Sequence, residues 1–146
     1  MRNILLIIFL LANFISYGQY TGATPYTSQF GHNQSVYKSG ANWKIINVDE
    51  DDMVFAVVDK YGRVVAHSYI KAGDSYMFRD LPIGSYSYKF TSDGSYFEKK
   101  VLILLDGCDP EVYICKGEPQ WEHQIWVETT TGYGSGKISK KDFFNN

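Results

Sequence analysis

The chain has 146 residues, with 14 Lys and Arg against 16 Asp and Glu and a formal net charge of −2. A balance so small and so interspersed excludes a nucleic-acid surface, whose affinity comes from clustered cations neutralising phosphates; the basic pairs Lys99-Lys100 and Lys140-Lys141 read as solvated faces. The length suits one domain burying roughly two-thirds of the surface its unfolded chain exposes, and twelve Tyr, nine Phe and three Trp with thirteen Gly point to pleated strands joined by turns.

Met1-Arg2-Asn3 is a short basic start, residues 4–15 are almost continuously apolar, and Ser16-Tyr17-Gly18 supplies small residues. This pattern predicts a signal peptide over 1–18, cleaved before Gln19. The apolar run falls well short of the roughly 20 residues needed to span a bilayer, and no Cys stands near the cleavage point for a lipid anchor. The expectation is an exported protein, periplasmic, outer-membrane-associated or extracellular, neither membrane-spanning nor lipid-anchored.

Residues 19–42 are rich in Gly, Thr, Ser, Asn, Gln and Tyr without an apolar period, which predicts an irregular arm. Tyr26 and Phe30 in it are placed either to pin the arm onto the domain or to meet a partner. Strand signals then follow at short intervals over 43–130, as in a sandwich. Trp43–Val48 ends at the acidic turn Asp49-Glu50-Asp51-Asp52. Met53–Val58 is a continuous apolar run suited to a central strand, and Lys60-Tyr61-Gly62-Arg63 turns it into Val64–Ile70 as a hairpin. Ser75–Arg79 follows, then Ser85–Thr91, where Tyr86, Tyr88 and Phe90 alternate with Ser87 and Lys89 and so predict one packed and one wet face. Ser92-Asp93-Gly94 turns into Tyr96–Leu105, and Trp121–Thr130 is a further strand. The fold class expected is all-β: a single antiparallel β-sandwich of seven or eight strands. Residues 131–146 form a tail, a loop and then one helical turn capped by Ser139 and Asp142, whose Phe143 and Phe144 dock on the body.

Cys108 and Cys115 suggest a disulfide in an oxidising compartment, worth about 2–3 kcal/mol for so short a loop. A hairpin of Val112–Cys115 back on Val101–Leu105 around Asp106-Gly107 would instead set Cys115 opposite the earlier strand. A bonded pair and two separate thiols both remain open.

Few constellations suit chemistry. Asp49, Asp51 and Asp52 are candidate ligands for a hard cation such as calcium, without the spacing or glycine of a helix-loop-helix site. His32, His67 and His123 have no metal-ligand spacing, and His67 and His123 read as partly buried core histidines. Gly132–Lys137 lacks the spacing of a phosphate loop, and Ser135 between two glycines has no helix to follow as a nucleophile elbow requires. No cofactor is expected. What remains is loop aromatic content: Tyr20, Tyr26, Phe30, Tyr37, Tyr61, Trp121 and Tyr133 are candidate contact residues, since such side chains offer large rigid area at low entropic cost.

Between Val54 and Leu105, the turn Asp59-Lys60-Tyr61-Gly62 and the passage Phe78-Arg79-Asp80-Leu81-Pro82-Ile83-Gly84-Ser85-Tyr86 are similar to the "F-x-D-L-P-x-G-x-Y" passage of prealbumin-like, carboxypeptidase-regulatory-like domains. The resemblance implies a β-sandwich whose Pro-Gly turn sets up a strand with aromatics facing the core. The whole chain also resembles small exported Bacteroidota proteins, in its Ser-Tyr-Gly-Gln, its Pro25–Gly31 passage and its Ile-Ser-Lys-Lys-Asp-Phe-Phe ending. Neither resemblance supplies a functional residue.

The function expected is therefore a non-catalytic exported β-sandwich, a binding or accessory subunit whose partner is an envelope or cell-surface protein or a glycan. Two other readings are a small secreted metal-dependent hydrolase using His67 and His123, and a structural subunit that donates its 19–42 arm to a neighbour's sheet edge.

Overall fold

A strand with one wet face alternates in burial; Met53–Asp59 (β2) does not, because all but its last residue are buried. Successive side chains leave a strand on opposite sides, so Met53, Phe55 and Val57 enter one core while Val54, Ala56 and Val58 face another layer. The computed structural model describes residues 19–107, 121–125 and 136–145. Within them lie a helical turn at Thr27–Phe30 (α1), then β1 (Trp43–Asn47), β2, β3 (Val64–Ile70), β4 (Ser75–Phe78), β5 (Gly84–Ser92), β6 (Ser95–Leu105), β7 (Trp121–Ile125), β8 (Gly136–Ile138) and a last helical turn, α2 (Lys140–Phe144).

The strands form a sandwich of two sheets, one of three strands in the order β4-β1-β7 and one of five in the order β3-β2-β5-β6-β8. The all-β class is as expected, and pairing is antiparallel throughout the five-stranded sheet. One pair departs: β7 lies parallel to β1, with Trp43 opposite Trp121 and Asn47 opposite Ile125. Between the sheets, Trp43 and Ile45 of β1 meet Phe55, Val57, Tyr88 and Phe90 of β2 and β5. Gly136, expected to end a loop, instead opens β8, which pairs with Tyr96–Glu98.

The expectation of a wet outer face on β5 is corrected. Ser87 and Lys89 are buried with Tyr86, Tyr88 and Phe90, because the arm and the tail close over the outer face of the five-stranded sheet. There Phe30 and Phe143 pack with Ala56, Val58 and Val64, joined by Tyr26, Tyr96, Ile138 and Phe144. Lys89 is tolerated because its Nζ donates to the carbonyls of Asp142 at 3.0 Å and Asn145 at 3.1 Å, where α2 ends. Burial pushes its pKa down, and Glu98 and Asp142 pull it part of the way back. The tail turn forms as its sequence predicts: the Asp142 amide donates to Ser139 Oγ at 3.0 Å.

The arm holds no strand, as expected, but it is tied down where it crosses β3. Gly22 N–H donates to Tyr69 O at 2.9 Å and Tyr69 N–H to Ala23 O at 2.8 Å. Farther along, Asn33 brackets His67, its Nδ2 donating to the His67 carbonyl and its Oδ1 accepting the His67 amide, each at 2.9 Å. Gln34 N–H reaches Val65 O at 2.8 Å. The arm thereby covers an edge strand that would otherwise present unpaired backbone groups.

The passage over 78–86 ties the end of the sandwich together. Asp80, at φ 51°, donates its amide to Asn42 Oδ1 and accepts Gly40 N–H on Oδ1, while Tyr86 OH donates back to the Pro82 carbonyl. Gly107 closes the same end. It has φ +77°, and a Cβ there would stand 2.5 Å from the Ser39 carbonyl oxygen. Gly107→Ala is expected to cost at least about 2 kcal/mol, since left-handed strain adds to a clash with backbone; a loss below about 0.5 kcal/mol in urea unfolding would disprove that close approach.

Candidate functional site

The end of the sandwich carrying the β2–β3 turn gathers several exposed aromatic and aliphatic side chains, Tyr61, Ile83 and Trp121 among them. Asp59 builds this turn. Its Oδ1 accepts the amides of Tyr61 at 2.8 Å and Arg63 at 3.0 Å, and its Oδ2 accepts Arg63 Nε at 2.9 Å, with Nη2 at 2.7 Å. Partial burial pushes the carboxyl pKa up, but these donors outweigh it and hold it below the usual range. Gly62 takes φ 87°, a conformation that favours glycine in the turn. The result is a rigid platform presenting Tyr61, whose side chain is 71% exposed.

Beside Tyr61 is a cleft of about 280 Å³ lined by Asp59, Lys60, Arg63, Pro82, Ile83 and Tyr86 together with Gln34 of the arm. Lys60 Nζ lies 5.0 Å and Arg63 Cζ 5.3 Å from the centre of the Tyr61 ring. Such contacts orient the cations and leave a net positive rim. Ile83 stands 63% exposed on the opposite wall. Burial, with Asp59 nearby, pushes the Tyr86 phenol up to about 12, so it stays a neutral donor to Pro82. The site joins one exposed ring, one guanidinium and one aliphatic side chain, a set suited to recognition.

The other candidates separate. Trp121 is partly exposed at the same end, with Nε1 donating to Leu104 O at 2.9 Å, and Tyr37 is exposed on the arm's return with Lys38 Nζ 5.1 Å from its ring. Tyr20 is exposed at the opposite end, beside the Thr21 and Asp74 hydrogen bond. Tyr26 and Phe30 are turned inward: Phe30 is buried, and Tyr26 packs edge-on to Phe144 at 4.9 Å. As contact residues these two are corrected, because the sheet's outer face offers them apolar partners. Tyr133, Cys108 and Cys115, with the expected strand over 112–115, lie outside the described residues.

The acidic turn is structural. Buried Asn47 donates to the carbonyls of Asp51 and Ile70 and accepts the Asp49 amide. Asp52 accepts the Tyr69 hydroxyl and, at 2.8 Å, the Ala72 amide; the Tyr69 bond first, then the Ala72 amide, lower its pKa, while Tyr69 rises to about 12. Slight desolvation and then its acidic neighbours raise Asp51. Among the described residues no three His, Cys, Asp or Glu side chains are placed to hold a metal ion.

The two inner histidines do not meet. His67 lies on the outer face beneath the arm, whereas His123 pairs with Ile45 in the other sheet and accepts Trp43 Nε1 at 2.9 Å. Reasoning from sequence missed Arg63, Asp59 and Ile83. The Asp-x-Tyr-Gly-Arg spacing, in which an aspartate satisfies amides two and four residues on, is a signal that points to a preorganised turn. No known protein family matches the chain, and no curated protein matches it. Among the described residues no helix is long and apolar enough to cross a membrane.

Proposed function

We propose that this protein is a non-catalytic binding or accessory subunit, exported to the periplasm or cell surface, which engages its partner through the Tyr61 cleft. The observation that carries the reading is a ring held 71% exposed on a turn fixed by four hydrogen-bonding contacts to one carboxylate. Ordering such a surface before binding lowers the entropic cost of complex formation. Export is supported by the basic start and apolar run of residues 1–15. The partner best suited to the cleft presents a carboxylate to Arg63 and an apolar group to Ile83, as an envelope protein segment does. A glycan partner would instead use the free area of Tyr61.

Capture from an envelope extract tests this, comparing wild type with Tyr61→Ala, Arg63→Glu and a Tyr20→Ala control at the opposite end. A partner retained by wild type and Tyr20→Ala is expected to fall at least about tenfold with either cleft variant, as for the loss of a central anchor. Unchanged capture by both cleft variants sinks the proposal.

A further inference from the structure

His67 is fully buried on the outer face of the five-stranded sheet, stacked on Tyr26 with ring centroids 6.5 Å apart and edge-on to Phe30 at 5.4 Å. Its Nε2 accepts the main-chain N–H of Tyr26 at 3.2 Å. An imidazole nitrogen accepts only while it carries no proton. The contact therefore fixes the neutral ring with its hydrogen on Nδ1, which makes no hydrogen bond of good geometry, although the Thr24 backbone lies close enough to favour a charged ring slightly. A second proton would point Nε2–H at the Tyr26 N–H, turning an attraction between arm and sheet into a repulsion inside an apolar layer.

No carboxylate offsets that charge, and the Thr24 backbone does so only in part. From β2 the ring faces Ala56, and the next residues in the same row across the sheet are Lys89 of β5 and Glu98 of β6. Lys89 is itself a cation, already spent on the carbonyls of Asp142 and Asn145, and Glu98 lies beyond it, 3.6 Å from Lys100. From the arm come the Tyr26 phenol, the backbone of Thr24 and the Asn33 amide; on α2, Asp142 is bonded to Ser139. No carboxylate among the described residues acts on the ring.

We propose that protonation of His67 releases the arm from β3 and bares the part of the sheet's outer face that the arm covers, while the two-sheet sandwich and the docked tail stay folded. The arm is held by the paired Gly22 and Ala23 bonds to Tyr69, the Gln34 bond to Val65, the packing of Tyr26 and Phe30 and three bonds to His67 itself, one from Tyr26 and two from Asn33, whereas the sandwich core lies on the sheet's other face. Burial holds the ring's pKa below its ordinary 6.5, with the Thr24 backbone working the other way. The released ring takes its proton near 6.5, so the closed arm is favoured fully above that pH and loses ground as pH falls below it. Between pH 7.5 and 5.0 the open population rises by as much as about thirty-fold.

Amide hydrogen exchange on the full chain tests this, read at Gly22, Tyr26, Gln34 and Tyr69 against amides at the β2–β5 pairing. After correction for intrinsic rates, wild type is expected to lose protection at the arm amides by up to about thirty-fold at pH 5.0, with β2–β5 unchanged. His67→Gln, which offers a non-titrating acceptor near the same place, is expected to show no such pH dependence. Equal losses in wild type and His67→Gln overturn the proposal. Should that variant not fold, the wild type decides alone: the ring titration followed by NMR and the loss of arm protection must share one midpoint, and an arm still protected around a protonated ring overturns it. The sheet-wide amides separate this event from titration of His123 in the other sheet.

Discussion

Phe143→Ala is expected to lower the free energy of unfolding by about 3–5 kcal/mol, the range for a large aromatic removed from a packed interior. Phe143 is fully buried although it stands only three residues from the end of the chain. Its ring meets Tyr96 at 5.1 Å, Phe30 at 5.6 Å and Tyr26 at 6.1 Å, so truncation opens a cavity between arm, tail and sheet. Equilibrium urea unfolding measures the loss, and a value under about 1 kcal/mol would show that the outer layer adds little. Phe30→Ala should be non-additive with it, since residues in contact share one cavity.

Trp43→Ala is expected to be as damaging, again about 3–5 kcal/mol. The indole is fully buried where the sheets meet, 5.6 Å from Phe55, 6.0 Å from Tyr88 and 5.5 Å from His123 between ring centroids. It also ties β1 to β7 through its hydrogen bond to His123 Nδ1. That acceptor must be unprotonated, and burial first, then Lys99, hold the His123 pKa below 6.5. The unfolded chain thus takes up the proton before the folded one, and stability present above about pH 6.5 is lost as pH falls. Trp43→Phe keeps a ring in the core but removes the donor. Its stability should fall less steeply with acid than that of wild type, and denaturation midpoints between pH 7.5 and 5 check this; parallel curves would contradict the hydrogen bond's role.

The strands of the main core were legible because a period of two, or an unbroken apolar run, is written locally. Met53–Val58, the hairpin to Val64–Ile70 and the aromatics of β5 all appear where their pattern puts them. The capped turn at Ser139 and the docking of Phe143 were legible for the same reason. What covers a face is not local information. Nothing in Ser87-Tyr88-Lys89 says that carbonyls more than fifty residues onward will satisfy the ammonium, so a face that looked wet is dry. Tyr26 and Phe30 carried the same ambiguity in reverse: an aromatic in a polar arm suits a partner or the chain's own sheet equally well. Tyr61 was visible as a loop aromatic, while Ile83 belongs to the cleft only because separate turns end at one edge of the sandwich. The acceptor role of His67 left no trace, since its partner is a backbone amide 41 residues away.

The outer layer joins Phe30 to Phe143, two residues separated by most of the chain. Closing so long a loop carries its full entropic cost before the contact returns anything. The hairpins β2–β3 and β5–β6 need no such closure and are expected to form earlier, leaving the outer face of the sheet without its cover until arm and tail meet. The expected order of assembly is sandwich before cover. Until arm and tail meet, that surface is uncovered, and this is when the chain is expected to be most prone to pair with another copy.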